Sequence, residues 1–407
     1  MLPRLCRLAV PLCVVAFLQD LVSAACECGY SVNTTTAPQH AVWTDLLETD
    51  FLHLDSLKGV GWLPQVYNTT PANEQSKYGK MASRDNVIPN PLKHSQDWAG
   101  ESVNGGDPGL QLVVRSQTVD EMVTFGEVAT RTRADMLYGS FRIAMKVTTV
   151  PGTCAAFFWV GDSRQKTVVP DRKLTMQPQF RNNSMEVDME LLSAQFNSTS
   201  SPLNLAIHTP ESAANGFDAA KTPGFAIHQL PFRPDEGFHE YRFDWLPDRV
   251  SFYADGVWLS DLNTTVPNSP GVLVINHWSN GNPNWSAGPP VEDAVLTISY
   301  VKAYFNSSDT QRQNDFSKRC SENATAIASS VCQIPDQTIA PDTAGPDGNA
   351  TAKTFFFSDD PQNTQNQTVF SDWPSTAHAI APRQLFGSFP MAVTVAFAYS
   401  ITSALLA

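Results

Sequence analysis

Between about Cys26 and Asn306 the chain alternates short apolar or apolar–polar runs with Gly, Pro, Asn and Asp. Strands are expected over 110–114, 141–147, 155–160, 203–207, 241–245, 250–254, 272–275 and 295–305. In 141–147 the bulky Phe141, Ile143, Met145 and Val147 alternate with Arg142, Ala144 and Lys146, the two-residue period of a strand with one buried face. Asp255-Gly256 separates two such runs and marks a hairpin. No helical period of similar length competes, so the pattern predicts an all-β, antiparallel β-sandwich of the jelly-roll kind.

The pattern fades past Asn306. Ser, Thr, Asn, Gln, Asp and Pro dominate 307–388, and so polar a stretch is expected to form a disordered, glycosylated stalk. The two ends read as addresses. Arg4 and Arg7, the apolar run 8–18 and Val22-Ser23-Ala24 make 1–24 a secretory signal peptide. The uncharged apolar block 389–407 follows a polar spacer and the small residues Ser375-Thr376-Ala377, the order of a GPI-attachment signal. Ten N-x-[ST] sites agree with a secreted glycoprotein at the cell surface or wall, touching membrane only through its anchor.

Composition narrows the function classes. The 407 residues hold 27 Lys+Arg against 40 Asp+Glu, a net charge of −13, with no basic run to meet a nucleic-acid backbone. Neither GxxxxGK[ST] nor a strand-framed GxGxxG is present to support nucleotide chemistry. Beyond the signal peptide five cysteines remain, and an oxidising compartment makes them disulfide candidates. Cys320 and Cys332 could close a local loop. Cys26 and Cys28 lie too near each other to pair easily, so each seeks a distant partner, Cys154 among the options. The odd number leaves one thiol free or intermolecular, and no second CxxC or His cluster suggests a metal site.

The segment 185–191 carries the chemistry. Alternation places Met185, Val187, Met189 and Leu191 on the core face, and Glu186, Asp188 and Glu190 together on the other. A solvated outer face would mix cations with its acids, and this one has none. Clustered carboxylates with separated pKa values are suited to acid/base work. Retaining glycoside hydrolysis uses two carboxyl groups roughly 5–5.5 Å apart. Alpha carbons four residues apart on a strand are roughly 13 Å apart, a gap that long Glu side chains on a concave sheet can narrow. Like-charge coupling should keep one Glu protonated near neutral pH.

Glu186-Val187-Asp188-Met189-Glu190 resembles the catalytic signature of glycoside hydrolase family 16, in its bulge-free form. Three further segments resemble the family in the same order: Tyr138 to Arg142, Phe238 to Trp245 with Tyr253-Ala254-Asp255-Gly256, and Asn276-His277-Trp278. The resemblance covers about 25–306 and implies a concanavalin A-like jelly roll whose concave sheet binds β-glucan. It implies Glu186 as nucleophile, Asp188 as assisting acid and Glu190 as acid/base. Trp278 and Trp285 are candidate stacking platforms for sugar faces. Asn276 is a candidate sugar ligand, and Arg142 a candidate for contact with sugar hydroxyls or the nucleophile. His208 and His239 read as hydrogen-bonded structural residues. No cofactor is required, there is room for a structural calcium ion, and a monomer is expected.

The activity implied is that of an endo-acting β-1,3(4)-glucanase. A wall-remodelling transglycosylase acting on β-glucan or chitin shares the first half-reaction. A non-catalytic β-glucan lectin is the alternative of another class, and the presence of both Glu186 and Glu190 argues against it. One departure from the family stands out. Phe157-Phe158-Trp159 is separated from Glu186 by a long basic interval, 160–185, readable as a mobile loop beside the cleft or as translated sequence absent from the natural messenger.

Overall fold

Two antiparallel sheets pack face to face, and nearly all the expected strands recur with slightly longer bounds. The computed structural model describes residues 26–372 apart from 33–41, 75, 131, 163–180, 210–211, 213–218, 321–329, 344–351. All of them fall within one compact unit that runs to Trp373. The signal-peptide and anchor segments lie outside the described residues, as does the interval 163–180. Among the described residues no helix is long and apolar enough to cross a membrane.

In the first sheet the strands Phe225–Gln229, Pro202–His208, Arg181–Leu192, Cys154–Asp162, Gly271–Trp278 and Met122–Thr130 lie side by side in that order. The pairing of Cys154–Asp162 with Arg181–Leu192 continues, through a register shift after Val160, to Asp162 opposite Arg181, so strand extends into both ends of the long interval. In the second sheet Val257–Leu262, Val250–Ala254, His239–Trp245, Met136–Lys146 and Ala294–Ser307 follow one another. The long Ala294–Ser307 strand then divides its free edge between Gly109–Val114 and Asp45–Asp50. The predicted hairpin is present. Asp255 and Gly256 have φ of 43° and 72°, the doubly positive pair of the tight turn that matches strand twist.

Alternation sends Phe157, Trp159, Val187, Met189, Leu205 and Ile207 inward from the first sheet, against Phe141, Ile143, Phe243, Trp245, Val301 and Phe305 from the second. Trp159 and Trp245 meet with ring centroids 4.3 Å apart at the centre of this core. Full burial of each such side chain contributes about 1.5–3 kcal/mol, which fixes both registers. Glu186, Asp188 and Glu190 are thereby held on the outer side of the first sheet.

The expected stalk is a correction. Residues 310–319 form a helix, Thr310–Arg319, whose N-terminus is capped by the Asp309 side chain. The next described segments run back over the sandwich. Thr368–Phe370 adds a parallel strand beside Asp45–Asp50, and Ile334, Phe356 and Phe357 are buried. Two disulfides, Cys28–Cys320 and Cys26–Cys332, tie this segment to the first residues of the domain. The local Cys320–Cys332 loop is therefore not formed, and among the described residues Cys154 is the free thiol. Mean composition hid a few apolar anchors that need little further ordering once the crosslinks restrain the chain.

Candidate active site

The first sheet builds its concave face from cross-strand rows, each neighbour about 4.5–5.5 Å from the next. One row runs Glu127, Asn276, Ala156, Glu190, Asn204 and Ile227. The adjacent row runs Ala129, Val274, Phe158, Asp188, Ala206 and Phe225. A third carries Val272, Val160, Glu186 and His208. The three acids thus stand one per row. Around Asp188 the face is apolar and buried, with Ala156, Phe158, Val160, Val272 and Val274 forming one cluster.

Burial, then the charges of Glu186 and Glu190, push the Asp188 carboxyl well above its ordinary range, and it shares a hydrogen bond with Glu186. The fold therefore favours the protonated form of Asp188. Glu190 is also raised, burial being the main cause. The Cys154 thiol, the Trp285 side chain and the Lys80 charge each oppose that rise by favouring the carboxylate. Asn204 Nδ2 donates to the backbone carbonyl of Glu190 at 3.3 Å, fixing the strand beneath it. The site consequently holds protonated and ionisable carboxyl groups side by side, with Lys80 the cation that bears on Glu190.

Sequence reading treated His208 as structural, yet register places it directly opposite Glu186. Its Nε2 lies 3.7 Å from Asp188 Oδ2, while Nδ1 meets Ser212 Oγ at 3.1 Å. Burial lowers its pKa and so favours the neutral ring over an ion pair with Asp188. Among the described residues Glu186, Asp188 and His208 also form the one cluster with metal-ligand spacing, their ligand atoms within 4.8 Å of one another. Calcium takes six to eight oxygen ligands, so an imidazole and a protonated acid fit it poorly. His239, by contrast, is structural as expected. It bonds Asp255 at 2.7 Å and stacks on Phe232.

Three of the four expected sugar contacts reach this face. Asn276 Nδ2 donates to Glu127 Oε2 at 3.2 Å, and its buried Oδ1 has no hydrogen-bond partner. Trp278 lines the end of the face, with Lys80 Nζ 4.3 Å from its ring centroid. Trp285 hydrogen-bonds Glu190 and approaches Phe225, ring centroids 6.3 Å apart, so its loop reaches across the acidic strand. Arg142 is the exception and a correction. It is buried on the outer side of the second sheet, where Nη1 donates to Pro335 O at 2.7 Å. Sequence reasoning also missed Glu127 and Cys154, which only strand register brings into the site.

An antiparallel sandwich with graded carboxyl groups along one concave strand defines the class. The family model described as glycosyl hydrolases family 16 matches residues 94–302, just over half of the chain, and the chain belongs to that family. It is similar to a beta-glucanase of Acetivibrio thermocellus, 25% identical over 149 residues, 36% of this chain and 36% of that protein. A beta-glucanase of Paenibacillus polymyxa is 38% identical over 53 residues, 13% of this chain and 22% of that protein. The chain spans less than two thirds of the length of either relative. Among solved structures, a prokaryotic beta-1,3-1,4-glucanase (lichenase) from a mouse hindgut metagenome aligns over 64% of this chain and 99% of its own. Its sequence identity is 17% and its TM-score 0.46.

Proposed function

We propose that this chain is a retaining endo-acting β-glucanase of the β-1,3(4) kind. The observation that carries the reading is the placing of Glu186, Asp188 and Glu190 on one outer face of one strand, where burial raises the pKa of both Asp188 and Glu190. Glu190 gives its proton to the glycosidic oxygen as the bond to the anomeric carbon breaks, and Glu186 forms the glycosyl-enzyme bond. Glu190, now a carboxylate, takes a proton from water, and the resulting hydroxyl displaces Glu186. Asp188 keeps its proton throughout and donates to Glu186, steadying that carboxylate as nucleophile and leaving group. Asn276, in the same cross-strand row as Glu190, suits a sugar hydroxyl, and the Trp278 and Trp285 rings suit sugar faces.

Incubating the chain with mixed-linkage, β-1,3- and β-1,6-glucan oligosaccharides tests this. Shorter products with the β-anomer formed first are expected, and Glu186→Gln should abolish them. Longer products would establish the transglycosylase, and binding without turnover the lectin. Full activity in Glu186→Gln would sink the assignment of the nucleophile. The two disulfides support a secretory route, since such crosslinks persist in oxidising compartments.

A further inference from the structure

We propose that Cys154 is a positioning residue for the acid/base: its buried thiol occupies Glu190 Oε1 as a donor and thereby assigns the catalytic proton to Oε2. The proposal rests on reading Glu190 as the acid/base. Cys154 begins the strand Cys154–Asp162, and alternation turns it to the concave side beside Ala156, the residue directly opposite Glu190. It is therefore the diagonal neighbour of Glu190, within reach of a long side chain. Its Sγ lies 3.3 Å from Glu190 Oε1 and is fully enclosed.

The thiol is the donor here, because a carboxyl oxygen is a far better acceptor than a thiol sulfur. Burial and the nearby Glu190 and Asp188 hold it well above the ordinary thiol range, so it is neither a nucleophile nor a thiolate ligand. A thiol carries one hydrogen, and a protonated carboxyl keeps one carbonyl oxygen as acceptor. With Oε1 taken, the proton of Glu190 sits on Oε2 when it acts as acid and returns there when it acts as base. Trp285 supplies a second donor, but from a loop that sugar must approach. Cys154 comes from a central strand and stays in place through the cycle. The other charged or titratable groups facing this pair are Lys80 from Gly79–Ala82, Glu186 and Asp188 from the acidic strand, Glu127 from Met122–Thr130 and His208 from Pro202–His208.

The test compares the full chain with its Cys154→Ala and Cys154→Ser variants. Losing a donor to the carboxylate raises the Glu190 pKa, so in Cys154→Ala the basic limb of kcat/KM should move up by about 0.5 pH unit. Its kcat should fall about 3–10-fold, the size of one neutral hydrogen bond, with KM nearly unchanged. Cys154→Ser should restore both. An infrared difference spectrum, wild type minus Cys154→Ser, reads the S–H stretch without any turnover. That band should shift as Glu190 titrates and stay still in Glu190→Gln. An unmoved basic limb in Cys154→Ala, equal impairment of Ala and Ser, or an S–H band indifferent to pH would each overturn the proposal. If the chain acts on no glucan, the functional reading fails while the infrared band still decides the contact.

Discussion

The two outer faces of the sandwich both bury charge, and they handle it in opposite ways. On the second sheet buried charges meet ion pairs or hydrogen-bond partners, several of them from the C-terminal segment. Arg242 forks onto Asp244, donates to Asp336 at 2.8 Å and lies over the Tyr253 ring. Glu48 accepts the backbone N–H groups of Phe357 and Ser358 at 2.9 and 3.0 Å. Tyr300 donates to Glu240 at 2.7 Å, and Lys302, its pKa lowered to about 8 mainly by burial, donates to Thr354 at 2.7 Å. On the first sheet the acids face one another, with Lys80 bearing on Glu190 and burial favouring the protonated form of Asp188. Pairing spends charge on structure, whereas its absence keeps charge available for chemistry.

Glu190→Gln should cut kcat on β-glucan by about 10²–10⁴-fold, the usual contribution of an acid/base, at little cost in stability. Arg242→Met should do the reverse. Stripping one partner from a buried pair leaves Asp244 uncompensated, a loss of about 3–5 kcal/mol in urea or thermal unfolding. Its kcat per folded molecule should match the wild type. A drop in kcat without a loss of stability would show that the second sheet serves the chemistry after all.

Sequence alone separated the faces of each strand but not the two outer faces of the molecule. Alternation in 141–147 correctly sends Phe141, Ile143 and Met145 to the core and Arg142 away from it. Away from the core means cleft on one sheet and C-terminal cover on the other, and nothing local to Arg142 distinguishes them. Glu186, Asp188 and Glu190 were legible because three acids two residues apart need no partner strand to be recognised. Glu127, Cys154 and His208 depend on register across several strands, which pattern does not encode. The C-terminal segment was misread because composition averages over residues, while Phe356, Phe357 and two crosslinks act individually.

Asp188→Asn sharpens the contrast at a smaller scale. The folded chain raises the Asp188 pKa above its ordinary 3.8. Its contribution to stability is therefore full below that value and is lost as pH rises towards the folded value, because the unfolded chain has already released the proton. Asn removes this loss. The variant should be more stable than wild type near neutral pH. The gap should shrink as pH falls towards 4, and kcat should be reduced at every pH. A variant less stable than wild type at neutral pH would mean that the fold does not raise the Asp188 pKa.

The smallest expected effect separates the two donors on Glu190. Trp285→Phe keeps a ring against Phe225 but deletes the N–H that favours the Glu190 carboxylate. The Glu190 pKa should rise, moving the basic limb of kcat/KM upward by about 0.5 pH unit, as for loss of a single neutral donor. The kcat profile gives different information, because it reports the enzyme with sugar bound. If the indole turns from Glu190 to stack on the sugar, that second profile stays where it was, and Cys154 is the donor left on the carboxyl during the reaction. A shift of equal size in both profiles would mean that Trp285 remains on Glu190 in the complex, making the loop a fixed part of the acid/base site rather than a platform for substrate.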